Sequence, residues 1–236
     1  MRAIAISDIH GHAATFRELV EEQVILSKQD KLFLLGDYVH RGPDYKGVFD
    51  YILELKGEGY QVEMLLGNHE FIWFDELCSS GSNLLSRPFR MTNEAFQKEY
   101  EKFLNKKKLN IAPKYKALLK DCKFYAEYEN FIFVHAGLDF TKKDPFADKY
   151  ELVWTRKMHE HLNEKWLAGR KIIHGHTPKK EAEIRYRIKS NKSTIGIDNG
   201  CFMTQLRGMG QLCALDVTNM ELYFQENIDK NKWHFW

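Results

Sequence analysis

Cysteine, proline and long apolar runs are all scarce in this chain, and each scarcity removes a class of protein. The four cysteines, Cys78, Cys122, Cys201 and Cys213, lie far apart with no Cys-x-x-Cys pair, which argues against a zinc ribbon or a disulfide framework and leaves them as buried thiols. Five prolines in 236 residues are too few for a proline-rich linker, and no internal repeat or low-complexity tract is visible. No run approaches the roughly 18 apolar residues of a membrane-spanning helix, and Met1 leads directly into a strand-like stretch and Asp8 rather than the apolar core of a signal peptide. The expectation is a cytoplasmic protein with no membrane partner. Excess charge is also lacking: the formal net charge is +2, which neither demands nor excludes a nucleic acid.

What is present is enough for a substantial core, with 44% hydrophobic residues, and the length fits a single α/β body. Residues 2 to 7 form a β-type run into Asp8, and His12 to Leu26 carries Phe16, Leu19, Val20 and Val24 near helical spacing. The unit repeats. Lys31 to Leu35 reads as a strand into Gly36-Asp37, Asp44 can cap a helix bearing Val48, Ile52 and Leu55, and Gly57 and Gly59 end it. Tyr60 to Leu66 is a third strand. From Phe71 to Asn130 the pattern turns helical, with a polar loop at Ser79 to Asn83, a helix predicted from Thr92 to Lys106, and Pro113 opening another. The basic stretch Lys106-Lys107-Lys108, with Lys114 and Lys116, reads as a solvated helix face, so a nucleic acid partner is not expected.

Beyond this insertion, Lys123 to Tyr128 and Phe131 to Val134 read as a hairpin, residues 156 to 167 as helical, and Lys171 to Ile173 as a strand. A second hairpin is predicted from Ile184 to Lys189 and Thr194 to Ile197, and Gln211 to Val217 with Leu222 to Gln225 closes the last sheet. βα units early and hairpins late predict an α/β fold of two packed mixed sheets flanked by helices.

Five short motifs carry the chemistry: Ser7-Asp8-Ile9-His10-Gly11, Gly36-Asp37-Tyr38-Val39-His40-Arg41-Gly42, Gly67-Asn68-His69-Glu70, His135-Ala136-Gly137 and His174-Gly175-His176-Thr177. Four of them follow an apolar run, and in open α/β sheets ligands collect beyond the carboxyl ends of strands. Any one has an ordinary explanation. Asp8 and His10 alone read as a loop cap or surface pair, Asn68-His69 as a left-handed turn beside a surface histidine, and His135 as a hydrogen-bonded core histidine. Together they offer two carboxylates, an amide and several imidazoles, a donor mix suited to two divalent transition ions. Such a pair, about 3.5 to 4 Å apart, can lower the pKa of water from about 15.7 toward neutrality and clamp a phosphoryl group for in-line attack. A carboxylate can bridge them with its two oxygens, and an arginine such as Arg41 has the planar fork that matches phosphate.

The order and wording of these motifs resemble the metallophosphoesterases, and Gly-Asp-Tyr-Val-x-Arg-Gly with Gly-Asn-His-Glu resembles the phosphoprotein phosphatase branch in its compact bacterial form. The resemblance runs from Ala3 to about Leu215. It implies Asp8, His10 and Asp37 around one ion and Asp37, Asn68, His135 and His176 around the other, with Asp37 shared and a water or hydroxide between the ions as nucleophile. It further implies that His69 protonates the leaving oxygen, that Arg41 and Arg156 hold the phosphoryl group, and that a helical cap over residues 71 to 121 covers the cleft. Manganese is the first expectation for both ions, with iron, zinc or cobalt compatible with the same donors. The Gly-His-Thr pattern selects His176 over His174, which is read as structural. Asp198 is read as supporting the site rather than ligating, and His12, His159, His161 and His234 receive no catalytic role.

One departure stands out. His40 occupies the position where the family usually has an aspartate oriented toward the leaving-group histidine. An aspartate favours the protonated imidazolium, whereas an imidazole accepts only when neutral and repels once charged, so His69 is expected to be a weaker acid. Ser7, where glycine is common, is small and can supply a hydroxyl. The resulting expectation is a phosphoester hydrolase of the Ser/Thr protein phosphatase kind, acting on a phosphoprotein or small phosphorylated substrate. The alternatives are a dinucleoside polyphosphate hydrolase and a weakly active regulatory or nucleic-acid-binding relative.

Overall fold

The computed structural model describes residues 1–70 and 112–229. Three strands, β1 (Ala3–Ile6), β2 (Lys31–Leu34) and β3 (Gln61–Met64), run parallel, with Ile4 opposite Leu32 and Leu32 opposite Val62. The second sheet begins with β4 (Tyr125–Tyr128) and β5 (Phe131–Val134), an antiparallel hairpin, and continues through β6 (Lys171–His174) and β7 (Thr194–Gly196), both parallel to β5. The chain then returns to the first sheet, where β8 (Gln211–Asp216) lies antiparallel to β1 and β9 (Glu221–Glu226) lies at the edge. The strand orders are β3-β2-β1-β8-β9 and β4-β5-β6-β7, so both sheets are mixed, as predicted.

The alternation of side chains along each strand decides the layering. Ala3, Ala5, Phe33 and Leu35 point into the seam between the sheets, where they meet Phe133, Ile173 and Ile195. Phe33 and Phe133 stack there with centroids 4.1 Å apart. Ile4, Ile6, Leu32 and Leu34 point the other way, against α1 (Ala13–Glu18) and α2 (Tyr45–Gly57) through Phe16, Val48, Phe49 and Ile52. Ile132, Val134 and Ile172 do the same on the far face, against Leu152, Met158 and Leu167. Strands buried on both faces explain why their sequences are continuous apolar runs.

Helix starts are fixed by caps both local and distant in sequence. Asp44 caps α2 by accepting from Gly47 N at 2.8 Å. α1 lacks a side-chain cap of its own; Asp229, from the far end of the chain, accepts from Ala14 N (3.1 Å), Thr15 N (2.9 Å) and Thr15 Oγ1 (2.6 Å) instead. Pro113 opens α3 (Pro113–Lys120) as predicted. The rest of the predicted cap, including the Thr92 to Lys106 helix, lies outside the described residues. No helix of the described residues is long and apolar enough to cross a membrane.

Two expectations are corrected. Residues 156 to 167 do not form one helix: α4 (Lys149–Trp154) precedes them and stops where Thr155 turns extended, a 3₁₀ turn spans Met158–Glu160, and α5 (Glu164–Leu167) starts afresh with Asn163 accepting from Trp166 N. Asp148 caps the helix before the stretch, and the cap at Asn163 starts a separate short helix within it. The hairpin predicted around Asn191-Lys192 is instead a crossover in which α6 (Glu181–Lys189) links β6 to the parallel β7. Ile184 and Ile188, four residues apart, both reach the inter-sheet core, and Arg185 pairs with Glu181 at 2.7 Å across one turn. The alternation of Ile184-Arg185-Tyr186-Arg187-Ile188 fits a strand and one helix face equally well; parallel pairing of β7 with β6 demands the helix.

Candidate metal centre

Asp8, Asp37 and Asn68 lie just beyond the carboxyl ends of β1, β2 and β3, and His135 and His176 lie beyond β5 and β6. Because these strands are parallel within each sheet, the loops open on one side of the molecule. Backbone bonds lace them together: His10 N to Asp37 O (2.7 Å), Gly11 N to Tyr38 O (2.8 Å), Gly42 N to His10 O (2.7 Å) and Gly175 N to His135 O (2.8 Å). A β-carbon at Gly67 would collide with the Asp37 carboxylate, and one at Gly175 with Ser7 Oγ and the Asp8 carboxylate. Asp8, His10, Asp37, His40, Arg41 and His176 all have left-handed φ values between 48° and 68°. Such backbone conformations are costly for residues with side chains and collect where the surrounding structure enforces them.

Asp37 is the hub. Its Oδ1 lies 3.5 Å from His135 Nε2, while its Oδ2 lies 3.6 Å from His10 Nε2 and 3.9 Å from His69 Nε2. Asn68 Oδ1 is 3.0 Å from both His135 Nε2 and His176 Nδ1. Among the described residues two groups of metal-capable atoms result, His10 with Asp37 and His69, and Asp37 with His135 and His176. Asp8 Oδ1 stands 4.0 Å from His10 Nε2; its carboxylate accepts from Ser7 Oγ and from His176 N.

The tautomers test whether cations fit. His10 Nδ1 faces Val39 O at 3.0 Å and His135 Nδ1 faces Leu35 O at 2.9 Å. A carbonyl only accepts, so in each ring Nδ1 carries the proton and Nε2 of the neutral ring presents a lone pair. Those lone pairs point at the Asp37 carboxylate and the Asn68 carbonyl oxygen, acceptors facing acceptors. A positive ion between them satisfies both sides, as a proton on Asp37 would for His10 alone, and a backbone carbonyl behind a ligating imidazole is the expected support. Burial pushes His10, His69, His135 and His176 below the usual imidazole range, which keeps them neutral and able to donate. It also pushes Asp8 and Asp37 upward, Asp37 further because of the Asp8 charge. The donor set therefore fits a pair of divalent ions.

Around this centre, His40 Nδ1 meets His69 Nδ1 at 2.5 Å, and burial together with Arg41 holds His40 down at about 4. Arg41 is exposed, with its guanidinium 4.3 Å above the Phe202 ring. Arg156 donates from Nη1 to Thr177 Oγ1 at 3.2 Å, which draws it beside His176. His174 turns away from the donor groups; its Nδ1 faces Gly175 O at 3.1 Å and its ring packs by His159. Asp198 is buried near Asp8 and accepts from Gly200 N at 2.7 Å.

Glu70 is a residue that sequence reasoning left without a role. Fully buried, it accepts from the backbone N–H groups of Asp37 (2.7 Å), Tyr38 (2.8 Å), Val39 (3.1 Å) and Gly67 (3.2 Å). It clamps the second and third motif loops together and so fixes where Asp37 points. Its place at the end of Gly67-Asn68-His69-Glu70 was the available signal, but nothing local says that an acid there serves a neighbouring loop.

The family model described as calcineurin-like phosphoesterase matches residues 1–198. A zinc-dependent endopolyphosphatase of Saccharomyces cerevisiae is 36% identical over 98 residues, 41% of this chain and 29% of its own length. A symmetrical bis(5'-nucleosyl)-tetraphosphatase of Nitrosospira multiformis is 31% identical over 138 residues, 58% of this chain and 44% of the relative. The matched stretches thus span less than half of either relative. Among solved structures, one provisionally described as a diadenosine tetraphosphatase superposes with a TM-score of 0.62 at 18% identity, covering 99% of this chain and 95% of the other. A protein serine/threonine phosphatase from Saccharomyces cerevisiae superposes at 0.58 with 13% identity, covering 98% and 82%. At these identities the structural likenesses speak for the fold alone.

Proposed function

The chain belongs to the calcineurin-like phosphoesterase family, and we propose that it is a metal-dependent hydrolase of phosphoanhydrides, with dinucleoside polyphosphates as the substrate class. This exchanges the two readings drawn from the sequence, where protein phosphatase activity came first. The named tetraphosphatase relatives support the exchange, and one observation of geometry carries it: the Nδ1 to Nδ1 contact between His40 and His69.

A pair of divalent ions, manganese first and iron, zinc or cobalt next, supplies positive charge and an acidified water when bound. Asp8, His10, Asp37, Asn68, His135 and His176 are the residues proposed to hold it. Arg41 and Arg156 are proposed to bind the phosphoryl oxygens, Arg41 through its two-pronged edge. Hydrolysis forms a bond from water oxygen to phosphorus and breaks the bridging P–O bond, so the second nucleotide departs as its own phosphate. That group is stable as an anion and needs little protonation as it leaves. A serine alkoxide is far more basic and needs a proton from a competent acid. His69 is the proposed acid, and its partner His40 brings no negative charge to favour the imidazolium. The pair thus suits anhydrides better than alkyl phosphates.

The test sets manganese-reconstituted protein against diadenosine tetraphosphate and a phosphoserine peptide. We expect kcat/KM for the anhydride to be higher by about tenfold or more, a part of the roughly 100- to 10,000-fold that a full general-acid contribution carries. Faster turnover of the peptide would return the protein phosphatase reading to first place.

A further inference from the structure

Arg41 reaches the candidate site from a loop, with φ of 66°, and its side chain is exposed. A long exposed arginine samples many rotamers, and ordering it on demand weakens whatever it binds. Its guanidinium lies 4.3 Å over the ring of Phe202, contributed by a segment far along the chain. The same ring meets His10 edge-on, centroids 5.4 Å apart and planes at 87°. One aromatic side chain therefore touches both a proposed metal donor and the proposed phosphate-binding arginine.

The backbone that carries the half-buried Phe202 is pinned by its neighbours. Gly200 N donates to Asp198 Oδ1 at 2.7 Å, Met203 N to Gly200 O at 2.7 Å, and Asn227 Nδ2 to Cys201 O at 2.8 Å. Asn199 Nδ2 donates to Lys179 O and Gly208 O, at 2.9 and 3.0 Å. The turn is pinned on both sides of the ring. Stacking engages the face of a guanidinium and leaves its N–H edges free for oxygen atoms. A ring set against His10 thus fixes the plane in which those edges lie.

We propose that Phe202 is a positioning residue for Arg41, a fixed platform that orients the guanidinium edge toward the phosphoryl oxygens of the substrate. This deepens the function proposed above and rests on Arg41 contacting phosphate, so two independent readouts are needed. The first is a cycle on metal-reconstituted protein with diadenosine tetraphosphate. Phe202→Leu, which keeps apolar bulk but loses the π face, lowers kcat/KM about tenfold, while Phe202→Tyr stays within about twofold of native. In an Arg41→Ala background the Phe202→Leu change costs less than about twofold, because the oriented group is gone. The second is the order parameter of the Arg41 Nε–H by NMR on zinc-loaded protein, which falls in Phe202→Leu and is retained in Phe202→Tyr. Equal losses in both backgrounds, or an unchanged Arg41 Nε–H in Phe202→Leu, would overturn the proposal. Should the native protein hydrolyse no phosphate ester or anhydride, the function reading fails while the NMR measurement still decides the role of Phe202.

Discussion

His40 and His69 meet Nδ1 to Nδ1 at 2.5 Å, at the edge of the Asp37-centred donor cluster. One ring must donate and the other accept, so the contact forms only while at least one of them is neutral. An aspartate in place of His40 would instead add a negative charge and favour protonated His69.

Replacing His40 by aspartate should therefore strengthen the proposed acid. The expected outcome for His40→Asp is a rise of about tenfold in the ratio of alkyl to aryl phosphate hydrolysis. Steady-state rates on both esters measure it, and an unchanged ratio would remove the acid-weakening account.

Divalent ions should stabilise the fold. The Nε2 lone pairs of His10 and His135 face oxygen acceptors, a conflict that an ion relieves only in the folded state. Adding manganese to chelator-treated protein at about 100 times its Kd is expected to raise the melting temperature by roughly 5 to 10 °C. In Asp37→Asn the shift should largely vanish. Differential scanning calorimetry with and without the ion checks both, and a native protein indifferent to manganese would refute the metal assignment.

Glu70 holds four backbone donors without touching solvent. Glu70→Gln keeps the volume but turns an amide N–H₂ toward some of those donors. We expect a loss of about 2 kcal/mol, in line with leaving buried backbone donors facing another donor. Urea unfolding measures it; a loss below about 0.5 kcal/mol, the range of ordinary surface changes, would show that other contacts hold the Asp37 loop.

Acid stability should carry the signature of Asp30. This buried carboxylate accepts from Arg2 N at 2.7 Å and Arg2 Nη2 at 2.7 Å, and from Ser27 N at 3.1 Å. Burial opposes ionisation, but the Arg2 bonds and the backbone donors prevail and lower the pKa from 3.8 to about 2. A depressed folded-state pKa means stability that is present above pH about 4 and lost as pH falls toward 2, on the order of 2 kcal/mol. In Asp30→Asn that component of the pH dependence should disappear. Denaturation midpoints between pH 2 and 5 test it, and parallel curves for the two proteins would exclude Asp30 as the source.

Much of the site was readable because each donor belongs to a short motif at the end of an apolar run: Asp8 after β1, Asp37 after β2, Asn68 after β3. Local features that report themselves were readable too, such as the Asp44 cap and Pro113 at the start of α3. The hairpin expected at Ile184 to Ile197 failed because one alternation serves two periodicities over five residues, and only the pairing partner of β7 distinguishes them. Glu70 and Phe202 escaped notice because each acts on a loop distant in sequence, and neither residue type announces that.

By itself the chain's order of residues determined which atoms could bind cations, since aspartate, asparagine and histidine at strand ends have that chemistry wherever the backbone carries them. It also determined the missing carboxylate at position 40, a matter of residue identity alone. Only the tertiary structure decided that Asp37 would divide its two oxygens between His135 on one side and His10 and His69 on the other, that Val39 and Leu35 carbonyls would set the imidazole tautomers, and that Phe202 would lie under Arg41. Those relations join segments separated by up to about 160 positions, and they arise from the packing of two sheets and the lacing of their loops, which no local pattern encodes.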